Sequence, residues 1–305
     1  MTQPIPTYEE RRWKAAAERW PFRDDALMEG PPSCTLRDLR RPRLRRCPFD
    51  PDTITWLSRL GGGLDGYCWK VNFGDQGPFV LKLFWDRARV TMAGFAAQKE
   101  CRNAALLQMM ATAVEDGKAS GTPVLLNIRT ADWTDAMENV ESFSVEARQN
   151  AEGNLKQAAE MNIELRPVLS VPRLRRCFGW LPLPAEFLKA IPRPLRVPAV
   201  RLDHKRTRWL DYSDDPETPY TGIVYEYIEA GPNDPAVVQE VLDFLHLAGF
   251  VNASGPRGCN WESSVLLDLS DIVNPLQRSW SSVWHKRGMT ATQGSGVQSA
   301  FMLRD

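Results

Sequence analysis

Residues 60–85 read LGGGLDGYCWKVNFGDQGPFVLKLFW, and the fold turns on this stretch. Two runs, GYCWKVNF and PFVLKLFW, are rich in β-branched and aromatic residues and flank Gly74-Asp75-Gln76-Gly77. Strand-forming runs on either side of a Gly/Asp turn predict a β-hairpin. Gly61, Gly62, Gly63 and Gly66 open it. Glycines allow close backbone approach and offer free N–H groups to phosphate oxygens. Lys82 lies inside the second strand, among apolar neighbours. If it turns inward it needs an anionic partner, because an unpaired buried charge is costly.

Downstream, residues 92–112 contain no proline and place Phe95, Ala104, Leu106, Leu107 and Met110 at apolar positions of a predicted helix. Glu100 on that helix, eighteen residues after Lys82, supplies the carboxylate. TGIVYEYIEAG (221–231) is the clearest strand and ends at Gly231-Pro232. PAVVQEVLDFLHLAGF (235–250) predicts an amphipathic helix with Val238, Val241, Leu242, Leu245 and Ala248 on one face. Asp234 caps its start and Gly249 sits near its end. Asn260 follows, then Asp268 in the apolar run SVLLDLSDIV (264–273). Both are hard oxygen ligands of the kind Mg²⁺ takes.

A Gly-rich loop, a strand lysine, a helix glutamate, an Asn and an Asp follow one another in protein kinases in this order. The expected fold is therefore α+β, a protein-kinase-like two-lobed fold with a reduced C-terminal lobe. Gly61, Gly62, Gly63, Gly66, Lys82, Glu100, Asn260 and Asp268 form its candidate nucleotide site. Each has a plainer reading when taken singly. The glycines make a turn, Lys82 snorkels from an edge strand, Glu100 and Asp268 face solvent, and Asn260 caps a turn.

The catalytic parts break the pattern. Kinases carry H-R-D-x-x-x-x-N, but Gly255 stands five residues before Asn260, and no acid occurs between Asp243 and Glu262. General-base help is worth ~10²–10⁴-fold, so its absence predicts little or no transfer. Asp65 places negative charge where phosphate would approach. The eight-residue spacing from Asn260 to Asp268 is too short for the usual strand pair between them. Only 37 residues follow Asp268, too few for an activation segment and a peptide platform. The site is thus expected to be vestigial, with no catalytic residue and no required cofactor; ATP/Mg binding stays open. A small-molecule phosphotransferase of the aminoglycoside or choline kinase type is the alternative, with Asp243 or His246 as its base.

Outward from this centre the chain is less explicit. YEERRWKAAAERW (8–20) predicts a short helix with Trp13 and Trp20 on the face that docks on the body. Residues 21–52 are Pro-rich and predict loop or extended chain, with Arg37, Arg40, Arg41, Arg43, Arg45 and Arg46 forming either a solvated linker or a nuclear-import or nucleic-acid patch. Residues 113–170 read as an elaborated segment with a Gly/Ser turn (Gly117 to Gly121), a short apolar run VLLNI and a helical stretch, 142–162. The prolines of 171–200 exclude a long helix and leave RCFGW as one strand. PRLRRC occurs at 42–47 and 172–177, but nothing around it repeats. The expected organisation is 1–50 (helix and basic segment), 51–285 (degenerate kinase-like domain) and 286–305 (flexible tail).

Lys+Arg and Asp+Glu are both 38, so net charge gives no argument for global attraction to nucleic acid or membrane. Six cysteines include no CxxC pair, and three histidines give no zinc spacing. A reducing compartment, free thiols, no membrane span and no metal are expected.

LGGGLDGYCWKV, VLKLFW, ECRN, RCFGW, IVYEYIEAG, LDFLHLAGF and NWESSVLLDLSDIV together resemble the fungal family of inner-kinetochore Sim/Fta complex subunits, whose members look like degenerate kinases. The resemblance covers roughly residues 50–285 and is most specific in RCFGW and the NW…LLDLSDIV pair. It implies a nuclear, centromere-associated assembly role with protein partners and no enzyme activity.

Overall fold

The computed structural model describes residues 6–87, 95–203, 205–210, 219–252 and 258–289. The chain is a mixed α/β protein organised by a seven-stranded sheet. Its first helix, α1 (Tyr8–Arg19), docks as the sequence predicts: Trp13 and Trp20 meet edge-to-face at 6.3 Å and pack with Trp133, Leu276 and Trp280. Residues 21–52, expected as loop or extended chain, are extended in part and also hold a short helix. That segment forms strand β1 (Arg23–Leu27), helix α2 (Leu36–Arg40) and strand β2 (Leu44–Arg46). Leu39 and Leu44 are fully buried, so these short elements are held by tertiary packing that a proline-rich sequence does not advertise.

The predicted hairpin is present and has a third member. Strands β3 (Ile54–Gly62), β4 (Gly66–Phe73) and β5 (Gln76–Phe84) form an antiparallel meander. The β4–β5 turn is tighter than expected. Phe73 pairs with Gln76, leaving only Gly74 and Asp75 between the strands. Gly66 has a structural duty there: a Cβ at this position would lie 2.1 Å from the Leu83 carbonyl oxygen of the neighbouring strand.

Helix α3 (Ala96–Ser120) follows. Residues 88–94, including the first part of the predicted helix, lie outside the described residues. The helix runs on through Gly117, where a turn was expected, and stops at Gly121 with φ +72°. Its last turn packs so closely that a Cβ on Gly117 would meet the Thr122 carbonyl at 2.7 Å. Leu106 and Met110 are fully buried on its face; each contributes roughly 1.5–3 kcal/mol of burial.

Residues 113–170 then build strand β6 (Val124–Asn127), helices α4 (Trp133–Glu141), α5 (Val145–Gln149) and α6 (Ala151–Glu160), and strand β7 (Leu165–Val168), which pairs antiparallel with β6. Val124, Leu126, Val140 and Phe143 belong to the main core, so this segment is built into the body. RCFGW falls in β8 (Cys177–Leu183), which continues into helix α7 (Ala185–Lys189) and a small pair, β9 (Val200–Arg201) with β10 (Thr207–Arg208). The clearest predicted strand is β11 (Tyr220–Glu226).

The sheet order is β1-β2-β8-β11-β5-β4-β3. From β8 to β3 all pairings are antiparallel, whereas β1–β2 and β2–β8 are parallel. Alternation along the strands divides the sheet into two buried faces. Val80, Phe84, Ile223 and Tyr225 join the core around α3. Trp69, Leu81, Leu83 and Val224 join a second core on the opposite face.

Past the sheet, helix α8 (Pro235–Leu247) is capped by the Asp234 carboxylate, which accepts from the Ala236 N–H, and Gly249 adopts φ +88° beyond its end. Short strands β12 (Val251–Asn252) and β15 (Ile272–Val273) pair, as do β13 (Trp261–Glu262) and β14 (Val265–Leu266). Helix α9 (Ser282–Lys286) ends the described fold. Residues 290–305 of the predicted tail, and Gly255 within 253–257, lie outside the described residues.

Candidate functional site

Strand pairing sets the centre of the site. Cys68 on β4 lies directly opposite Lys82 on β5, and Ile223 on β11 flanks Lys82 on the other side. Side-chain alternation then turns Lys82 towards α3, where Glu100 is the fifth residue of the helix. The Lys82 Nζ donates to Glu100 Oε2 at 2.6 Å and to Asp268 Oδ1 at 2.9 Å. Tyr225, on the same face of β11, donates its hydroxyl to Glu100 Oε1 at 2.8 Å. The Arg175 guanidinium stands 4.6 Å over the Tyr225 ring and donates to the Leu267 carbonyl, tying the start of β8 to the chain before Asp268.

Burial governs the electrostatics. Lys82 is 6% exposed and Glu100 is not exposed at all. Burial pushes the Lys82 ammonium down, but the Glu100 and Asp268 carboxylates override it and hold its pKa above the ordinary range. Burial pushes the Glu100 carboxyl up to about 7, with Asp268 adding to the rise and the Lys82 ammonium and Tyr225 hydroxyl only partly offsetting it. Asp268 is desolvated too, yet Lys82 and Ser270 hold it below the usual carboxylate range. Among these groups only Asp268 is partly open to solvent, its side chain being 31% exposed.

The glycine turn folds over this network and is bonded shut. The Gly63 N–H donates to the Gly66 carbonyl at 2.9 Å. The Trp85 indole N–H donates to the Gly63 carbonyl at 2.9 Å, and the Trp85 backbone N–H to the Asp65 carbonyl at 3.1 Å. The Ser270 hydroxyl lies 2.8 Å from both Asp65 Oδ2 and Asp268 Oδ1. A hydroxyl has one proton to donate, so one of the two carboxylates is left facing an oxygen. Asp65 and Asp268 thus converge above the lysine and repel an incoming phosphate.

The expectation that no strand pair fits between Asn260 and Asp268 is corrected. β13 and β14 are joined by only two residues, Ser263 and Ser264, with φ +48° and +63°. Positive φ at both central positions makes the tightest hairpin connection. The conformation is unusual for serine, and the segment before α8 fixes it. Ser263 Oγ donates to the Glu229 carbonyl, the Asp234 N–H donates to Ser264 Oγ, and the Ser264 N–H donates to Asn233 Oδ1. Asn260 precedes β13, but its amide donates to the Asp271 carboxylate. The structure thus joins Lys82, Glu100 and Asp268 directly, ties Gly63 to Trp85 and Gly66 to Phe84 at the end of β5, leaves Gly61 and Gly62 in β3, and bonds Asn260 to Asp271.

The other proposed residues have different partners. His246 stacks on His285 with ring centroids 4.1 Å apart, and Asp243 accepts from Gln239. The side chains of Arg40, Arg41, Arg43 and Arg45 are engaged within the chain. Arg40 forms a two-pronged pair with Glu141 and lies over Trp13, Arg41 stacks on Trp20 at 4.2 Å, and Arg43 pairs with Asp24. Arg45 donates to the Glu29 and Gly30 carbonyls, while Arg46 is held in the sheet by its backbone, opposite Trp180. Among the described residues no group of three or more His, Cys, Asp or Glu is placed to hold a metal, and no helix is long and apolar enough to cross a membrane.

The sequence reading missed Tyr225, Ser270 and Arg175. The period-2 alternation of IVYEY puts Tyr225 on the face of Ile223, which is the one signal that pointed to it. No family model, curated protein or solved structure matches the chain.

Proposed function

We propose that this chain is a catalytically impaired, protein-kinase-like scaffold. One observation carries the proposal: Lys82 is bonded to both Glu100 and Asp268 beneath a turn that Asp65 and Ser270 hold closed. An active kinase needs its strand lysine paired with the helix glutamate and its aspartate free for Mg²⁺. Here the first condition holds, whereas Asp268 is bonded by the lysine and by Ser270. In this reading β3, β4, β5, α3, β8 and β11 make the smaller lobe. Residues 227–234 cross over, and α8 with β12–β15 makes a reduced second lobe.

Within that class we assign the chain to the fungal inner-kinetochore Sim/Fta complex subunits, with a nuclear, centromere-associated assembly role. Support comes from where the most specific stretches lie. RCFGW supplies β8, and NWESSVLLDLSDIV supplies β13–β15 and Asp268. A fluorescent fusion expressed in a fungal host tests the role. Nuclear foci coincident with centromeres are expected, and an even cytoplasmic signal would overturn the assignment. The intact Lys82–Glu100 pair is the observation favouring the second reading, a small-molecule phosphotransferase. Saturable, Mg²⁺-dependent ATP binding would select that reading instead.

A further inference from the structure

The sheet face opposite α3 is roofed by the proline-rich chain after β8, with Leu188, Ile191 and Leu195 packed on it. Where this roof meets the start of β3 it leaves an open groove of about 660 Å³. Trp56 and Phe187 form its aromatic wall, with ring centroids 5.6 Å apart at an interplanar angle of 53°. Pro182 and Pro184 line it as well. The charged residues that line the groove are Asp52 and Glu186, both exposed and both acidic.

We infer that this groove is a docking site for a proline-rich peptide in the polyproline II conformation that carries arginine or lysine. Polyproline II segments present ridges of rings and are already extended before they bind, so docking costs them little conformational entropy. Aromatic-lined grooves are the surfaces that take such ridges. Two inclined rings flanked by prolines offer flat apolar plates on which such a ridge can stack. Asp52 and Glu186 select the charge: a basic side chain is attracted and an acidic peptide is repelled. The groove lies on the opposite side of the sheet from Lys82, so the inference goes beyond the kinase-like reading and does not rest on it.

The test titrates the full chain into a fluorescein-labelled decapeptide of prolines and leucines with two arginines, read by fluorescence anisotropy. Saturable binding is expected. The double charge reversal Asp52→Lys with Glu186→Lys is expected to weaken it at least about tenfold, as is a peptide with glutamate in place of arginine. Phe187→Ser is expected to abolish it. Circular dichroism checks that each variant is folded; the charge reversal, made at exposed positions, decides the matter if Phe187→Ser unfolds. No saturation up to about 1 mM of the chain, or binding unmoved by both charge changes, overturns the inference. Either outcome leaves the result of an ATP titration unaffected.

Discussion

Replacing Lys82 with alanine is predicted to destabilise the fold by about 3–5 kcal/mol. The magnitude follows from what is left behind. Glu100 has no solvent exposure, and its carboxylate is neutralised by the Lys82 ammonium at 2.6 Å with one further bond from Tyr225. Without the ammonium, Glu100 must either stay charged in an apolar setting or take up a proton. Asp268 loses less, because it is partly solvated and keeps Ser270. A domain's total stability is roughly 5–15 kcal/mol, so the loss is a large share of it. Urea unfolding followed by tryptophan fluorescence measures it. With a slope of about 3 kcal/mol per molar urea, the midpoint should fall by about 1–1.7 M. The double variant Lys82→Met with Glu100→Leu removes both charges and should recover part of the loss, the unpaired Tyr225 hydroxyl keeping about 1–3 kcal/mol of it. A Lys82→Ala midpoint within about 0.3 M of the parent would refute the reasoning, since a buried carboxylate cannot lose its counter-charge so cheaply.

Asp65→Asn should raise stability by about 0.5–1 kcal/mol, because an amide offers Ser270 a donor and ends the convergence of two carboxylates; an unchanged or lowered midpoint counts against the closed turn. The stacked histidines predict acid sensitivity. Burial lowers the His246 pKa, and burial together with His246 brings the buried His285 down to about 4. Both rings are then neutral in the native state and titrate near 6.5 when unfolded, so their contribution is complete above about pH 6.5. Below that the unfolded state takes up the protons first; for His285 stability falls by up to about 1.4 kcal/mol per pH unit towards pH 4, and His246 acts in the same direction. Melting temperatures across that range should drop, and His285→Gln should flatten the slope; a profile unchanged by the substitution excludes the pair as the cause. Thiol titration should modify Cys259 first, since it is exposed, whereas burial pushes Cys34 up to about 11 and Cys47 up to about 12. Cys259→Ser should remove the fast phase, and a fast phase that persists would contradict this burial pattern.

Local chemistry made part of the molecule legible. Residues 66–84 and 221–226 carry strand composition and a turn, and 235–247 carries a cap, a periodic face and a terminal glycine; all three form as expected. Lys82 could be assigned a partner because a lysine amid Val80, Leu81 and Leu83 demands one, and the next helix supplied a carboxylate. What escaped depends on distant neighbours. β1 and β2 are strands because β8 offers them an edge, and Leu39 and Leu44 are buried by residues far along the chain. Gly117 reads as a breaker, yet the helix continues because the Thr122 carbonyl packs against that bare backbone. Ser263 and Ser264 do not announce a two-residue hairpin, since their positive φ angles are imposed by hydrogen bonds from 229–234. The arginines of 37–46 look free in one dimension, and Arg40, Arg41, Arg43 and Arg45 are engaged by Trp13, Trp20, Glu141, Asp24 and backbone carbonyls in three.

The melting temperature of the intact chain with and without millimolar Mg·ATP bears most directly on a kinase-like cleft closed by its own side chains. Any ligand that binds the native state raises that temperature by mass action. No shift is predicted for the parent chain. A rise of several degrees that disappears in Lys82→Met, with that variant still folded, would show that nucleotide enters the cleft and would contradict the account.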